Sequence, residues 1–253
     1  MRAKIFLIIT GLLIMTVGGY FVYSIFNSEE AKKVENNDDE VFKEKEDEED
    51  NRILTSKGYE IVHENGAYYI DGYLIVNKTY PLEAGWFPRN TNKEITASTG
   101  ICKDCLDVEV FEHWTRMKSD ASALGLNIYI SSAYRSIEYQ RGLYAGFVRN
   151  RGQAGADNVS ARPGHSEHHT ALAFDLNCIS DAFAATNEGK WVNDNAYLYG
   201  FIIRYPKGKT DETGYKYEPW HLRYVGLRLA KELYNNGDWI SMEDYFGITS
   251  EYS

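Results

Sequence analysis

The chain has only three cysteines, Cys102, Cys105 and Cys178. An odd number excludes a complete disulfide framework, and no second C-x-x-C joins CKDC (102–105) to finish a four-cysteine zinc site. The CKDC pair is read as free or locally paired thiols without catalytic duty. No H-E-x-x-H helix occurs, so the common metalloprotease pattern is also absent. Basic residues are in deficit, with 27 Lys and Arg against 37 Asp and Glu and a formal net charge of −10.

Much of that negative charge is local. Residues 28–52 hold twelve Asp and Glu against five Lys and Arg, with few apolar side chains. Such a segment cannot bury enough surface to offset the entropy of ordering, and it reads as an acidic, extended tether. Setting aside its −7 and the +2 of Arg2 and Lys4 leaves −5 for residues 53–253. A mildly acidic, Tyr-rich domain gives no support for nucleic acid as a partner.

Behind Arg2 and Lys4 runs a stretch without charge, residues 5–26. As a helix it reaches roughly 33 Å, enough for a hydrocarbon core of about 30 Å. It is longer than a signal-peptide core, no A-x-A-like cleavage site follows, and no nearby cysteine could accept a lipid. The expectation is an uncleaved transmembrane anchor over 1–27 and an acidic linker over 28–55. The positive flank stays cytoplasmic, so the domain over 56–253 faces outward and the cell membrane is one partner.

Within that domain, residues 59–77 alternate β-rich runs with N-G and D-G turns and predict hairpins. Helical spacing runs through 109–126 to Gly125 and again through 137–152, where Leu143 and Phe147 stand four apart. Between them NIYISSAYRS predicts a strand that delivers Tyr134 and Arg135 at its end. LAFDL (172–176) alternates as a half-buried strand. A short helix then ends at Gly200. FIIRYP and HLRYV read as two strands around a flexible GKTDETG turn, before a closing amphipathic helix. Mixed rather than alternating order favours one α+β domain, with a small central antiparallel sheet flanked by helices.

Two stretches carry the candidate chemistry, SEHHTALAFD (166–175) and EPWH (218–221). Asp175 sits in an otherwise apolar strand, where an uncompensated charge is costly, so a metal or an arginine must face it. His168 lies seven residues earlier, and polar sequence between them can turn back. Pro219 keeps Glu218 out of helix. His221 opens the next strand, so adjacent strands could present Asp175 and His221 side by side. Two imidazoles and one carboxylate would leave a fourth position open for water, as in catalytic zinc sites. Spacing alone leaves open whether these are ligands or ordinary core groups. His63, His113, His165 and His169 carry no such pattern and read as surface or core residues.

Four blocks together closely resemble the VanY-type D-alanyl-D-alanine carboxypeptidases: VNKTYPL (76–82), SAYRS (132–136), ARPGHSEHHTALAFD (161–175) and 200–226. That zinc peptidase family also holds L,D-carboxypeptidases and peptidoglycan endopeptidases. The resemblance covers roughly 70–240 and implies Zn2+ as cofactor and peptidoglycan stem peptides as substrate. It implies His168, Asp175 and His221 as metal ligands and Glu218 as general base. Arg135 would contact the scissile carbonyl, and Gln140 and Ser166 would bind the substrate's C-terminal end. The pattern's usual glycine is Ala171, and its usual glutamine is His169. An L,D-carboxypeptidase or endopeptidase specificity is the nearest alternative, and a catalytically silent wall-binding module the one from another class.

Overall fold

Asp107 opens helix α1 (Val108–Ala123) by accepting from the Glu109 N–H, a use of short acidic side chains at helix starts. Val110, Trp114, Met117 and Ala121 recur at three- and four-residue spacing and are all buried. These facts come from a computed structural model that describes residues 52–252. The expected anchor over 1–27 and most of the acidic linker lie outside the described residues. Among the described residues no helix is long and apolar enough to cross a membrane.

The predicted hairpins form a three-stranded antiparallel sheet of β1 (Ile61–Glu64), β2 (Ala67–Ile70) and β3 (Tyr73–Ile75). Its two turns, Asn65-Gly66 and Asp71-Gly72, all have positive φ, as two-residue hairpins of this type require. A short pair joins β4 (Ile101–Cys102) to β6 (Tyr134–Arg135). The central sheet holds β5 (Ile130–Ser132), β7 (Ala173–Leu176), β8 (Phe201–Ile203) and β9 (His221–Tyr224). Its order is β5-β7-β9-β8, antiparallel throughout, with Asp175 directly opposite His221. Helices α2 (Ile137–Asp157), α3 (Asn187–Asn195), α4 (Thr210–Thr213), α5 (Gly226–Tyr234) and α6 (Met242–Phe246) complete an α+β arrangement. Ser136 caps α2 by accepting from the Tyr139 N–H, just after Arg135.

Two expectations change. The LAFDL strand is not half-buried: all four residues of β7 are buried. One face sets Phe174 against Trp114 and Phe201 at ring distances of 5.2 and 5.3 Å. The other face, with Ala173 and Asp175, is covered too, and its polarity serves a buried site. GKTDETG is not a loose turn either. It contains α4, and Lys78 Nζ holds the Gly214 carbonyl at 2.5 Å. Of the two states left open for CKDC, local pairing is the one formed: Cys102 and Cys105 are joined as a disulfide, while Cys178 is free and exposed.

Candidate metal centre

Three elements supply three ligand-type side chains. His168 comes from a 3-10 turn (Glu167–Thr170), Asp175 from β7 and His221 from the first position of β9. The cross-strand register of β7 and β9 sets Asp175 beside His221, and Ala171 turns the chain from the 3-10 turn into β7 with φ of 59°. One nitrogen or carboxylate oxygen from each lies within 4.8 Å of the others. All three are buried, with 2–4% exposure. His168 Nε2 is 3.4 Å from Asp175 Oδ2, and His221 Nδ1 is 3.0 Å from Asp175 Oδ1.

The other ring nitrogens decide whether this set fits a metal. His168 Nδ1–H donates to the Ala133 carbonyl at 2.6 Å, so its Nε2 lone pair faces the centre. His221 Nε2 lies 3.3 Å from Glu167 Oε2, which takes an N–H and frees Nδ1 to ligate. A histidine held from behind by a carbonyl or carboxylate is the usual support for a metal ligand. The residues fit the ion: two neutral imidazoles, one carboxylate, and a base left over.

Charge is arranged accordingly. Burial pushes the Asp175 carboxyl up, but His168 and His221 outweigh it and hold the group well below the usual carboxylate range. Burial drives His168 down to about 4, which keeps it neutral. His221 goes the other way: burial lowers it, yet the Asp175 and Glu167 carboxylates lift it to about 9. A cation at Nδ1 would therefore displace a proton.

Glu167, unassigned from sequence, anchors this arrangement. Its Oε1 accepts from Arg204 Nε at 2.7 Å and from Arg223 Nη1 at 3.0 Å, leaving Oε2 for His221. Arg204 also forms a fork with Glu243, at 2.8 and 2.6 Å. All four charges are buried, so each depends on its partners. The signal was present: Arg204 and Arg223 follow or sit within apolar strands, as Asp175 does, and called for the same question about what faces them.

Glu218 stands on the tight EPWH turn, where its N–H donates to Tyr205 O and its carbonyl accepts from the His221 N–H, both at 3.1 Å. Burial raises its carboxyl from the ordinary value to about 7, against the lowering effect of His221. It borders a cavity of about 290 Å³ together with Arg135, Gln140, Ser166 and the three ligand-type residues. Every residue expected at the site is thus brought to one cleft. Arg135 Nε and Gln140 Oε1 are buried there with no hydrogen-bond partner. Both Gln140 N–H groups are directed at Ser160 Oγ and Ala161 O, so its free atom is an acceptor, suited to an N–H. His169 was read as an ordinary residue, yet its Nδ1–H donates to the Arg135 carbonyl at 2.7 Å and fixes that backbone. Tyr205, also unassigned, stacks 5.0 Å from the His221 ring and lines the cleft. Leu143, Phe147, Ile179 and Trp220 supply an apolar wall.

A metal-ready triad with an unligated carboxylate and a guanidinium beside it defines a metallopeptidase type of site. The family model described as VanY, D-alanyl-D-alanine carboxypeptidase, matches residues 103–227. A D-alanyl-D-alanine carboxypeptidase of Enterococcus faecalis (strain ATCC 700802 / V583) is 30% identical over 206 residues, which cover 78% of this chain and 71% of that protein. Among solved structures, the LdcB LD-carboxypeptidase is 36% identical with a TM-score of 0.64, covering 76% of this chain and 95% of that one. A mutant of the vancomycin resistance D,D-pentapeptidase VanY in complex with Zn(II) is 30% identical with a TM-score of 0.56, covering 68% and 96%. The chain belongs to the VanY family, a family of zinc metallopeptidases. It spans 66% and 52% of the length of two further curated relatives.

Proposed function

We propose that this protein is a zinc-dependent D-alanyl-D-alanine carboxypeptidase that removes the C-terminal D-residue from peptidoglycan stem peptides. The observation that carries the reading is the convergence of His168, Asp175 and His221 within 4.8 Å, with Glu218 free beside them. When bound there, zinc would supply Lewis acidity, polarising the scissile carbonyl and lowering the pKa of water toward about 7.

The chain's own residues do the rest. The Glu218 carboxylate takes a proton from the attacking water and passes it to the leaving amine nitrogen, first base and then acid. Its raised pKa suits both duties, because a group near 7 can hold or release a proton at neutral pH. As the amide carbon becomes tetrahedral, the Arg135 guanidinium faces the charge growing on its oxygen. One such preorganised donor is worth roughly 3–4 kcal/mol of barrier. Arg135 is held for this from two sides, by pairing of β6 with β4 and by His169 on its carbonyl. Gln140 and Ser166 border the end of the cleft where the terminal residue would lie.

A second reading has its own support. The L,D-carboxypeptidase LdcB is more similar in sequence and shape than the D,D-pentapeptidase, at 36% against 30% identity. Mass spectrometry of products from defined pentapeptide and tetrapeptide stems separates the two. The D,D reading expects loss of one residue from pentapeptides. Loss from tetrapeptides alone establishes the L,D reading in its place. In the same assay Glu218→Ala should keep its zinc yet lose turnover by a factor on the order of a thousand or more. An active Glu218→Ala protein would sink the role given to Glu218.

A further inference from the structure

Two loops border the cleft, and both are gripped by a segment far away in sequence. One loop is 158–166, contributing Val159, Ser160, Ala161 and Ser166; the other is the 213–217 turn, contributing Tyr215. Residues 249–252 contact these loops without lining the cleft themselves. Ser250 Oγ donates to Thr213 O at 2.7 Å, and the Glu251 N–H donates to Thr79 Oγ1 at 3.0 Å. Gly214 makes room for this strap: a Cβ there would come within 2.7 Å of Ser250 O.

Tyr252 ends the strap, touching both loops. Its hydroxyl accepts from the Arg162 N–H at 2.9 Å and sits 3.4 Å from the Tyr215 hydroxyl. The Arg162 guanidinium stacks on its ring at 3.9 Å, and the His165 ring meets it edge-on at 5.1 Å. Arg162 is itself locked to Asp157 by two hydrogen bonds of 3.1 and 3.0 Å.

Each contact leads on into the cleft. From Arg162 the chain runs back to Ala161 and Ser160, the two groups that hold the Gln140 amide. From Tyr215 the contact passes to Tyr205 at 4.7 Å, and from Tyr205 to the His221 ring at 5.0 Å. Lys78 ties the end of α2 to the second loop, donating to Asp157 O and Gly214 O, and its ammonium lies over the Tyr215 and Tyr252 rings at 4.5 and 5.2 Å.

We infer that Tyr252 is a positioning residue that sets the separation of the 158–166 and 213–217 loops and thereby the affinity of the cleft for its peptide. This rests on the carboxypeptidase reading. It touches neither the reacting atoms nor the ligands, so it acts through ground-state and transition-state binding alike.

The test uses the full zinc-loaded chain and defined stem peptides. Tyr252→Ala should raise KM roughly tenfold while kcat stays within about twofold, the pattern of lost uniform binding. Its zinc content should be unchanged. Tyr252→Phe keeps the stacked ring and should raise KM less than about threefold. Hydrogen exchange should quicken in 158–166 and 213–217 of Tyr252→Ala but not in β9. Unaltered KM, or a fall of kcat together with zinc loss, overturns the inference. An inactive wild type would count against the carboxypeptidase reading instead; the exchange pattern then still decides, since unchanged or uniformly quickened exchange overturns the clamp.

Discussion

Glu218 and Glu167 are both carboxylates beside His221, yet their surroundings drive them in opposite directions. Burial raises both. Arg204 and Arg223 overrule it at Glu167 and keep that group ionised, whereas at Glu218 the lowering effects of His221 and Arg135 are too weak to overcome burial and the group rises to about 7. A permanent anion can orient a ligand; a group near neutrality can move protons. The base must be deprotonated to act, so activity is lost as pH falls through its pKa. A cation in the site would pull that value down, so the acidic limb of kcat/KM should fall between about 5 and 7. A limb near the ordinary carboxylate value of about 4.3 would deny Glu218 the elevated pKa this argument needs. The four chemical residues were legible because each lies in a short motif with its neighbours. Glu167 was not, although it sits between Ser166 and His168: its meaning depends on arginines 37 and 56 positions away.

At the scale of elements, the joint between the 3-10 turn and β7 is the most constrained. Ala171 occupies the left-handed region with φ of 59° and is fully buried. That conformation costs an L-residue about 1–2 kcal/mol, which glycine would relieve. Glycine would also give up one buried methyl, about 0.8 kcal/mol, and gain unfolded-state entropy worth about 0.4–1 kcal/mol. The terms nearly cancel, so Ala171→Gly should change stability by less than about 1 kcal/mol. Ala171→Val has no compensation and should cost more than about 2 kcal/mol, since β-branched residues rarely tolerate this region. Urea unfolding of both variants checks this, and equal stability would mean that the turn is not strained. The departure from glycine here was visible in the motif, as were the hairpins, the long helices and the strands, because hydrophobic period and turn residues are local signals. The complete burial of β7 was hidden, because its polar face imitates a solvent-facing one. The order inside GKTDETG was hidden as well, since Lys78 and Ser250, which pin its neighbourhood, are distant in sequence.

Across the whole molecule, the candidate ligands link three elements that local sequence does not hold together. His168 precedes β7, Asp175 lies in its interior and His221 begins the strand beside it. An ion that binds this set binds only the folded chain, so it must stabilise the fold by mass action. At a free concentration of about 100 times Kd, the gain is about 2.7 kcal/mol. For a domain of this size each kcal/mol moves the midpoint by about 2–4 °C, so exhaustive chelation should lower Tm by roughly 5–10 °C. Two substitutions separate the metal from unspecific effects of the chelator. Glu218→Ala removes no ligand and should keep the full shift, while Asp175→Ala removes one and should lose most of it. Calorimetry with and without chelator reads all three proteins. If wild type and Asp175→Ala respond alike, the stabilising ion is bound elsewhere, and the convergence of these side chains has another purpose.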